Sequence, residues 1–185
     1  GKLLKIAGII AEYNPFHAGH AHHIAETRRR AGECAVIAVM SGNFVQRGDC
    51  AVTDKWARAR AALEGGADLV LELPTVWAAS SAEHFARGAV SILKAAGVDT
   101  LSFGSESGGA GALARAALAL DSPEFRAELR RHLDAGLPFA RCRQLAAEAL
   151  LGRGGAAVLE NANDNLGVEY LRAARRLGGQ PEVLA

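Results

Sequence analysis

Short apolar runs alternate with longer mixed stretches along the first hundred or so residues. "LLKIAGIIA" (3–11), "CAVIAVM" (34–40), "ADLVLEL" (67–73) and "DTLSFG" (99–104) are each nearly continuous in apolar residues. That texture predicts strands of a parallel sheet covered on both faces, not the in–out alternation of a sheet with one wet face. Between them, positions 20–31, 53–65 and 80–96 carry helix-like patterns. The second is expected to open at Thr53 and close at Gly65-Gly66, and the third to open at Ser80-Ser81 and close at Gly97. Strand and helix alternating at this spacing predict right-handed βαβ units, hence an α/β fold with a doubly wound parallel sheet.

After "FGSESGGAG" (103–111) the pattern turns helical throughout, at 111–121, 123–135, 138–151 and 164–177. Pro123 and Pro138 fall where a first helical turn tolerates proline, and Gly152–Gly155 makes a break. The expected organisation is an α/β core over 1–110 and a C-terminal helical elaboration over 111–185, packed on the core and not a free second domain.

Composition narrows the function classes. Lys plus Arg is 21 against 20 for Asp plus Glu, a formal charge of +1, which argues against a broad phosphate-coating surface. Local basic patches remain at Arg28-Arg29-Arg30 and among Arg126, Arg130, Arg131, Arg141, Arg143 and Arg153, where solvated helix faces are the simpler account. The three cysteines, Cys34, Cys50 and Cys142, are an odd number without CxxC spacing. This disfavours a disulfide framework or a structural zinc site and suggests reduced thiols in the cytoplasm. No stretch approaches membrane-spanning length.

The chemistry concentrates in "EYNPFHAGHAHH" (12–23), with four histidines in seven residues. It starts where the first strand ends and runs into the first helix, the usual phosphate seat of an open α/β sheet. Pro15 locks the turn, Gly19 permits close approach of a ligand to the backbone, and His17 and His20 are spaced to converge on one group. Three readings stand: a nucleotide phosphate, a transition metal completed by His22, His23, Glu12 or His84, and a purely structural cluster. "MSGNFVQRGDCAVTDKW" (40–56) follows the second strand at the same edge. Gln46, Arg47 and Lys55 are candidates for pyrophosphate or acetate and Asn43 for a carboxylate, against the simpler option that Asp54 and Lys55 only open the next helix. In "FGSESG" (103–108), Ser105, Glu106 and Ser107 suit ribose hydroxyls or a helix cap.

"PFHAGH" resembles the H-x-G-H signature of the nucleotidyltransferase superfamily. Taken with "AVMSGNFVQRGDCAVTDKWARARAALEGGADLVLELP", "SAEHFARGAVSILKAAGVDTLSFGSESG" and "NDNLGVEYLRA", the chain from residue 6 to about 177 resembles the bacterial tRNA(Met) cytidine acetate ligases. The resemblance implies a Rossmann-like nucleotidyltransferase fold, shared with class I aminoacyl-tRNA synthetases, and an enzyme that joins acetate and ATP into acetyl-adenylate. It would then acetylate N4 of the wobble cytidine of elongator tRNA(Met). The implied ATP stretch is Ile10, Ala11, Glu12, Tyr13, Asn14, Pro15, Phe16, His17, Ala18, Gly19, His20, Ala21, His22 and His23, completed by Gly104 and Asn163. The charge that builds on phosphate oxygens in such a reaction casts His17 and His20 as the catalytic donors. Magnesium is expected to accompany ATP because polyphosphate chemistry usually needs a hard cation, and no resident metal site is expected. Two departures are Ala18, where the family usually has asparagine, and Ala162, where proline is common. The resemblance also implies an N-terminal portion in which tRNA binding is incomplete. Two alternatives remain: another H-x-G-H enzyme passing AMP or CMP to a small substrate, and a nucleotide- or RNA-binding module without catalysis.

Overall fold

A computed structural model describes residues 4–42, 51, 54–78, 81–106 and 109–185. The chain divides into two compact units, Gly1–Phe103 with Ala173–Ala185, and Gly104–Arg172.

The first unit is built on strands β1 (Lys5–Ala11), β2 (Cys34–Ser41), β3 (Leu69–Leu73), β4 (Thr100–Ser102) and β5 (Glu182–Leu184). Their order is β3-β2-β1-β4-β5, with every neighbouring pair parallel. From β1 the sheet winds outward in both directions, the doubly wound arrangement expected of near-continuous apolar strands. On one face, Ala7 and Ile9 of β1 and Val36, Ala38 and Met40 of β2 pack with Tyr13, with Ile24 of helix α1 (Ala18–Ala31) and with Ala62 of helix α2 (Lys55–Glu64). Burying a side chain such as Ile9 or Ile24 contributes about 1.5–3 kcal/mol. On the other face lies α4 (Ala82–Ala95), which follows the single turn α3 (Thr75–Ala78). A Cβ at Gly8 would stand 2.8 Å from Leu93 Cδ1 and 2.9 Å from Val98 Cγ1, so the glycine in β1 sets how closely α4 approaches.

The amino edge of the sheet is tied by acids. Asp68 accepts from the Val36 amide and from Arg28, each at 2.8 Å, and Asp99 accepts from the Ile6 amide at 3.2 Å. Arg28 also donates to the carbonyls of Cys34 and Gly66, Arg29 pairs with Glu26, and Arg30 reaches the Ala185 carbonyl. The arginine run is therefore a set of structural ties at the C-terminal end of α1.

The second unit contains α5 (Gly109–Leu120), α6 (Pro123–Asp134), α7 (Phe139–Ala156) and most of α8 (Ala162–Arg176). Its buried faces include Ala116, Ala117, Ala146 and Ala147 among larger residues such as Leu113, Leu120 and Phe125, and the small side chains let helices approach closely. α7 is kinked at Gly152, at φ 74° and ψ 170°, where the sequence places a break. Pro123 opens α6 as expected, whereas Pro138 stands at the N-cap of α7. Among the described residues no helix is long and apolar enough to cross a membrane.

Two elements lie outside the sequence expectation. β5 belongs to the sheet although 111–185 reads as one helical block; three residues behind Pro181 are too short to show a period. α3 is a single turn between Pro74 and α4 and is likewise below the length that periodicity detects. Thr53 and Ser80, read as helix openings, lie outside the described residues; Asp54 caps α2 and Ser81 caps α4.

Candidate functional site

Strand order reverses between β1 and β4, the place where open α/β sheets bind ligands beyond their carboxyl ends. β1 reaches that edge with Ile10 and Ala11 half-buried at its tip. Tyr13 then adopts φ 49°, in the left-handed region uncommon for a bulky residue, and its ring turns inward until only 2% is exposed. Asn14 is half-buried, the Asn14–Pro15 peptide is cis, Pro15 is exposed, and Phe16 is half-buried just before the helix.

Two imidazoles close the start of α1. His17 is the N-cap, and its Nδ1 accepts from the Gly19 amide at 3.1 Å. Nδ1 of His20 accepts in return from the His17 amide at 3.2 Å. This is a capping box made by histidines in place of the usual serine and glutamate. A ring nitrogen that accepts carries no proton, so each neutral ring holds its hydrogen on Nε2. The rings stack at 3.7 Å with 22° between their planes. His20 also meets Tyr13 edge-on at 4.9 Å and Phe16 at 5.5 Å. Burial, then the neighbouring His17 and His23, lowers the His20 pKa below 6.5 and keeps the ring neutral. The first turn of α1 holds no acidic residue, so two Nε2–H donors share a helix N-terminus whose dipole favours anions. His17, Ala18 and Gly19 are exposed, and a Cβ at Gly19 would stand 2.9 Å from His17 Cε1. Glycine there leaves the His17 ring its place.

The remaining histidines part company with this pair. Nε2 of His23 lies 3.1 Å from Ser102 Oγ in β4, Ser102 Oγ lies 2.6 Å from Thr27 Oγ1, and Thr27 donates to the His23 carbonyl at 2.8 Å. His23 thus fastens α1 to β4, and burial followed by His22 lowers its pKa. Ala21 is half-buried and His22 exposed; His84 lies in the first turn of α4, its amide bonded to Ser81. Among the described residues no group of three or more His, Cys, Asp or Glu is arranged to hold a metal ion. With Nδ1 of His17 and of His20 both engaged by amides, the geometry disfavours the metal reading.

Asn43, Gln46 and Arg47 lie outside the described residues. Lys55 is ion-paired, its Nζ 3.1 Å from both carboxylate oxygens of Glu72, and Asp54 accepts from the Ala57 amide at 2.9 Å. Arg58 of α2 is a residue the sequence reading missed. Only 1% exposed, it donates to the Glu12 carbonyl at 2.6 Å, to the Ser41 carbonyl at 3.1 Å and to the Gly42 carbonyl. It therefore ties the loop after β1 to the end of β2. The available signal was a lone long cation one turn before Ala62 on the apolar side of an alanine-rich helix.

Gly104 and Asn163 lie in the second unit. Gly104 is exposed, and the exposed Glu106 accepts from Asn161 Nδ2 at 2.5 Å and from Asn163 Nδ2 at 3.1 Å. The buried Asp164 accepts from Ser105 Oγ at 2.8 Å and from the Glu106 amide at 3.1 Å. The loop after β4 and the start of α8 thus form one polar cluster.

A family model described as HIGH Nucleotidyl Transferase matches residues 4–184. The chain belongs to that family. Within this nucleotidyl transferase family, it is 48% identical over 181 residues to a tRNA(Met) cytidine acetate ligase of Syntrophotalea carbinolica, covering 95% of this chain and 42% of that protein. It is 45% identical over 184 residues to the same-named protein of Alkaliphilus metalliredigens, covering 92% and 43%. A crystal structure of Thermotoga maritima TmcAL bound with alpha-thio ATP superposes with a TM-score of 0.91 at 42% identity, covering 98% of this chain and 46% of that one. The apo form gives 0.90, also at 42%. The chain spans somewhat under half the length of the curated relatives it matches.

Proposed function

We propose that this chain carries the ATP and acetate site of a tRNA(Met) cytidine acetate ligase. The observation that carries the reading is the histidine capping box, with two neutral Nε2–H donors at a helix N-terminus without acids. It occurs in a chain 42–48% identical to ligases of that name, and similar to a TmcAL crystallised with an ATP analogue. In this reading a carboxylate oxygen of acetate attacks the α-phosphorus of ATP. Pyrophosphate leaves, and acetyl-adenylate remains. N4 of the wobble cytidine of elongator tRNA(Met) then attacks the acetyl carbon, AMP departs, and the amino group gives up a proton.

Little covalent work falls to the protein. His17 and His20 donate to phosphate oxygens as charge builds on them, and the amide-fixed tautomers spare the rings any reorganisation. Residues 10–23 would line the nucleotide site; Gly104 and Asn163 are nucleotide-binding residues by the family resemblance alone. His23 would serve indirectly, by holding α1 on β4. Lys55, with Gln46 and Arg47, would serve pyrophosphate or acetate, and Asn43 would bond a carboxylate. Magnesium would come as the companion of the triphosphate: the described residues offer no carboxylate cage, and this ion keeps water and phosphate oxygens as ligands. For RNA, Arg143 and Arg172 are committed to Glu169, which leaves the exposed Arg130, Arg141 and Arg153 as the better candidates.

The test is acetate-dependent exchange of labelled pyrophosphate into ATP. Exchange that needs acetate supports the ligase site. Exchange indifferent to acid favours a plain nucleotidyltransferase, and ATP binding without exchange favours a binding module. His20→Ala is expected to cost the exchange rate about 100- to 1,000-fold, the usual loss for one transition-state donor, while circular dichroism stays native. Near-parental exchange by that variant would refute the role given to His20.

A further inference from the structure

The ring of Phe16 occupies space that any side chain at position 65 would need. A Cβ on Gly65 would stand 2.4 Å from Phe16 Cζ and 2.6 Å from Phe16 Cε1, far inside van der Waals contact. Gly65 caps α2 at φ −77° and ψ −1°, a conformation every L-residue adopts, so no backbone requirement explains it. Its neighbour Gly66, at φ +117°, is the residue that the turn itself demands. What Gly65 supplies is a notch.

That notch is linked to the imidazole pair by direct ring contacts. Phe16 lies 4.8 Å from Tyr13, edge to face, and 5.5 Å from His20. His20 rests edge-on against Tyr13 at 4.9 Å and stacks on His17 at 3.7 Å. Tyr13 is held in the core beneath, and Phe16 packs against that same core. A displaced Phe16 ring therefore presses on Tyr13 and His20, whose only other ring neighbour among these is His17.

We propose that Gly65 is a positioning residue for the phosphate-binding imidazoles: the notch it leaves at the end of α2 seats Phe16, and Phe16 with Tyr13 sets where His20 stands. This rests on the reading of His17 and His20 as phosphate donors. Neither Gly65 nor α2 belongs to the H-x-G-H loop, so the site is adjusted from a second βα unit.

The experiment is a double-mutant cycle of Gly65→Ala and Phe16→Leu, read by calorimetric ATP affinity and by the NMR titration of the His20 imidazole without nucleotide. The backbone conformation itself admits alanine. The added Cβ would also stand 3.1 Å from the Ala61 carbonyl, a contact common to both backgrounds, so the difference between them reports the ring. With Phe16 present, Gly65→Ala is expected to weaken ATP binding about tenfold, and in the Phe16→Leu background less than about threefold. The His20 midpoint should move towards 6.5 in Gly65→Ala and not move further when the same change is made in the Phe16→Leu background. If Gly65→Ala does not fold alone but does so with Phe16→Leu, the clash is confirmed. Equal losses in both backgrounds, or an unmoved His20 midpoint in Gly65→Ala, overturn the proposal. A parent chain that binds no ATP defeats the functional reading, yet the titration arm still decides the positioning.

Discussion

At the residue scale, what matters is which nitrogen of each histidine is already engaged. Amide donors fix the proton of His17 and His20 on Nε2, and a chain of hydroxyls does the same for His23. Thr27 spends its hydrogen on the His23 carbonyl, so it accepts from Ser102, and Ser102 accepts from His23 Nε2. Thr27 is buried at 1% exposure and Ser102 at 4%, so neither hydroxyl has bulk water to fall back on. Thr27→Val preserves shape and removes the acceptor that Ser102 uses. It should cost about 1–2 kcal/mol in urea denaturation, as expected when a buried donor loses its acceptor. A variant as stable as its parent would mean that Ser102 donates elsewhere. Four histidines clustered in sequence thus divide into a stacked pair that caps a helix through Nδ1, one that fastens a helix, and one left exposed.

At the element scale, α2 contributes more to the site than its position in the chain suggests. Arg58 bonds three backbone carbonyls at the ends of β1 and β2, and Gly65 gives Phe16 its seat. Burial lowers the Arg58 pKa, with Glu12, Asp54 and Glu72 acting in the opposite sense, yet the group stays cationic. Arg58→Met keeps much of the stem's packing but leaves the carbonyls of Glu12, Ser41 and Gly42 without this donor. The expected loss is about 3 kcal/mol or more, measured as a lower urea midpoint; on the proposed function, ATP affinity falls with it as the 12–17 loop loosens. Little change in stability would show that water replaces the guanidinium.

That contrast marks what the sequence made legible. The first four strands and α1 announce themselves because continuous apolar runs stand out from their polar flanks and long helical stretches carry a period, and H-x-G-H marks the turn between β1 and α1. Arg58 and Gly65 carry no such mark: their roles arise from which carbonyls and which ring lie across the gap. β5 was hidden for the related reason that its three residues gain meaning only by pairing with β4. The strand-tip role of Ser102 is also invisible until α1 lies beside it.

At the scale of the whole molecule, these buried groups set the pH range over which the fold is stable. His20 and His23 have pKa values below 6.5 in the folded chain, so the unfolded chain binds more protons as pH falls through 6.5, and stability is lost from there downward to the folded values. Asp68, held below 3.8 by Arg28 and the Val36 amide, adds a second loss at lower pH, because protonation removes both partners' acceptor. On the alkaline side the buried Tyr13 phenol is pushed up to about 12 from 10.0. The unfolded chain then releases its proton first, and stability falls between those two values by about 3 kcal/mol. The Cys34 thiol is likewise raised from 9.0 by burial, so urea midpoints should form a plateau between pH 6.5 and 9 with a decline on each side. The alkaline limb has a direct check in Tyr13→Phe. Among the described residues the Tyr13 hydroxyl has no hydrogen-bond partner, so its removal should leave stability at pH 7 equal or higher. The same variant should lose the component of the decline above pH 10 that belongs to this phenol, and an unchanged alkaline limb would show that Tyr13 ionises as freely in the folded chain as in the unfolded one.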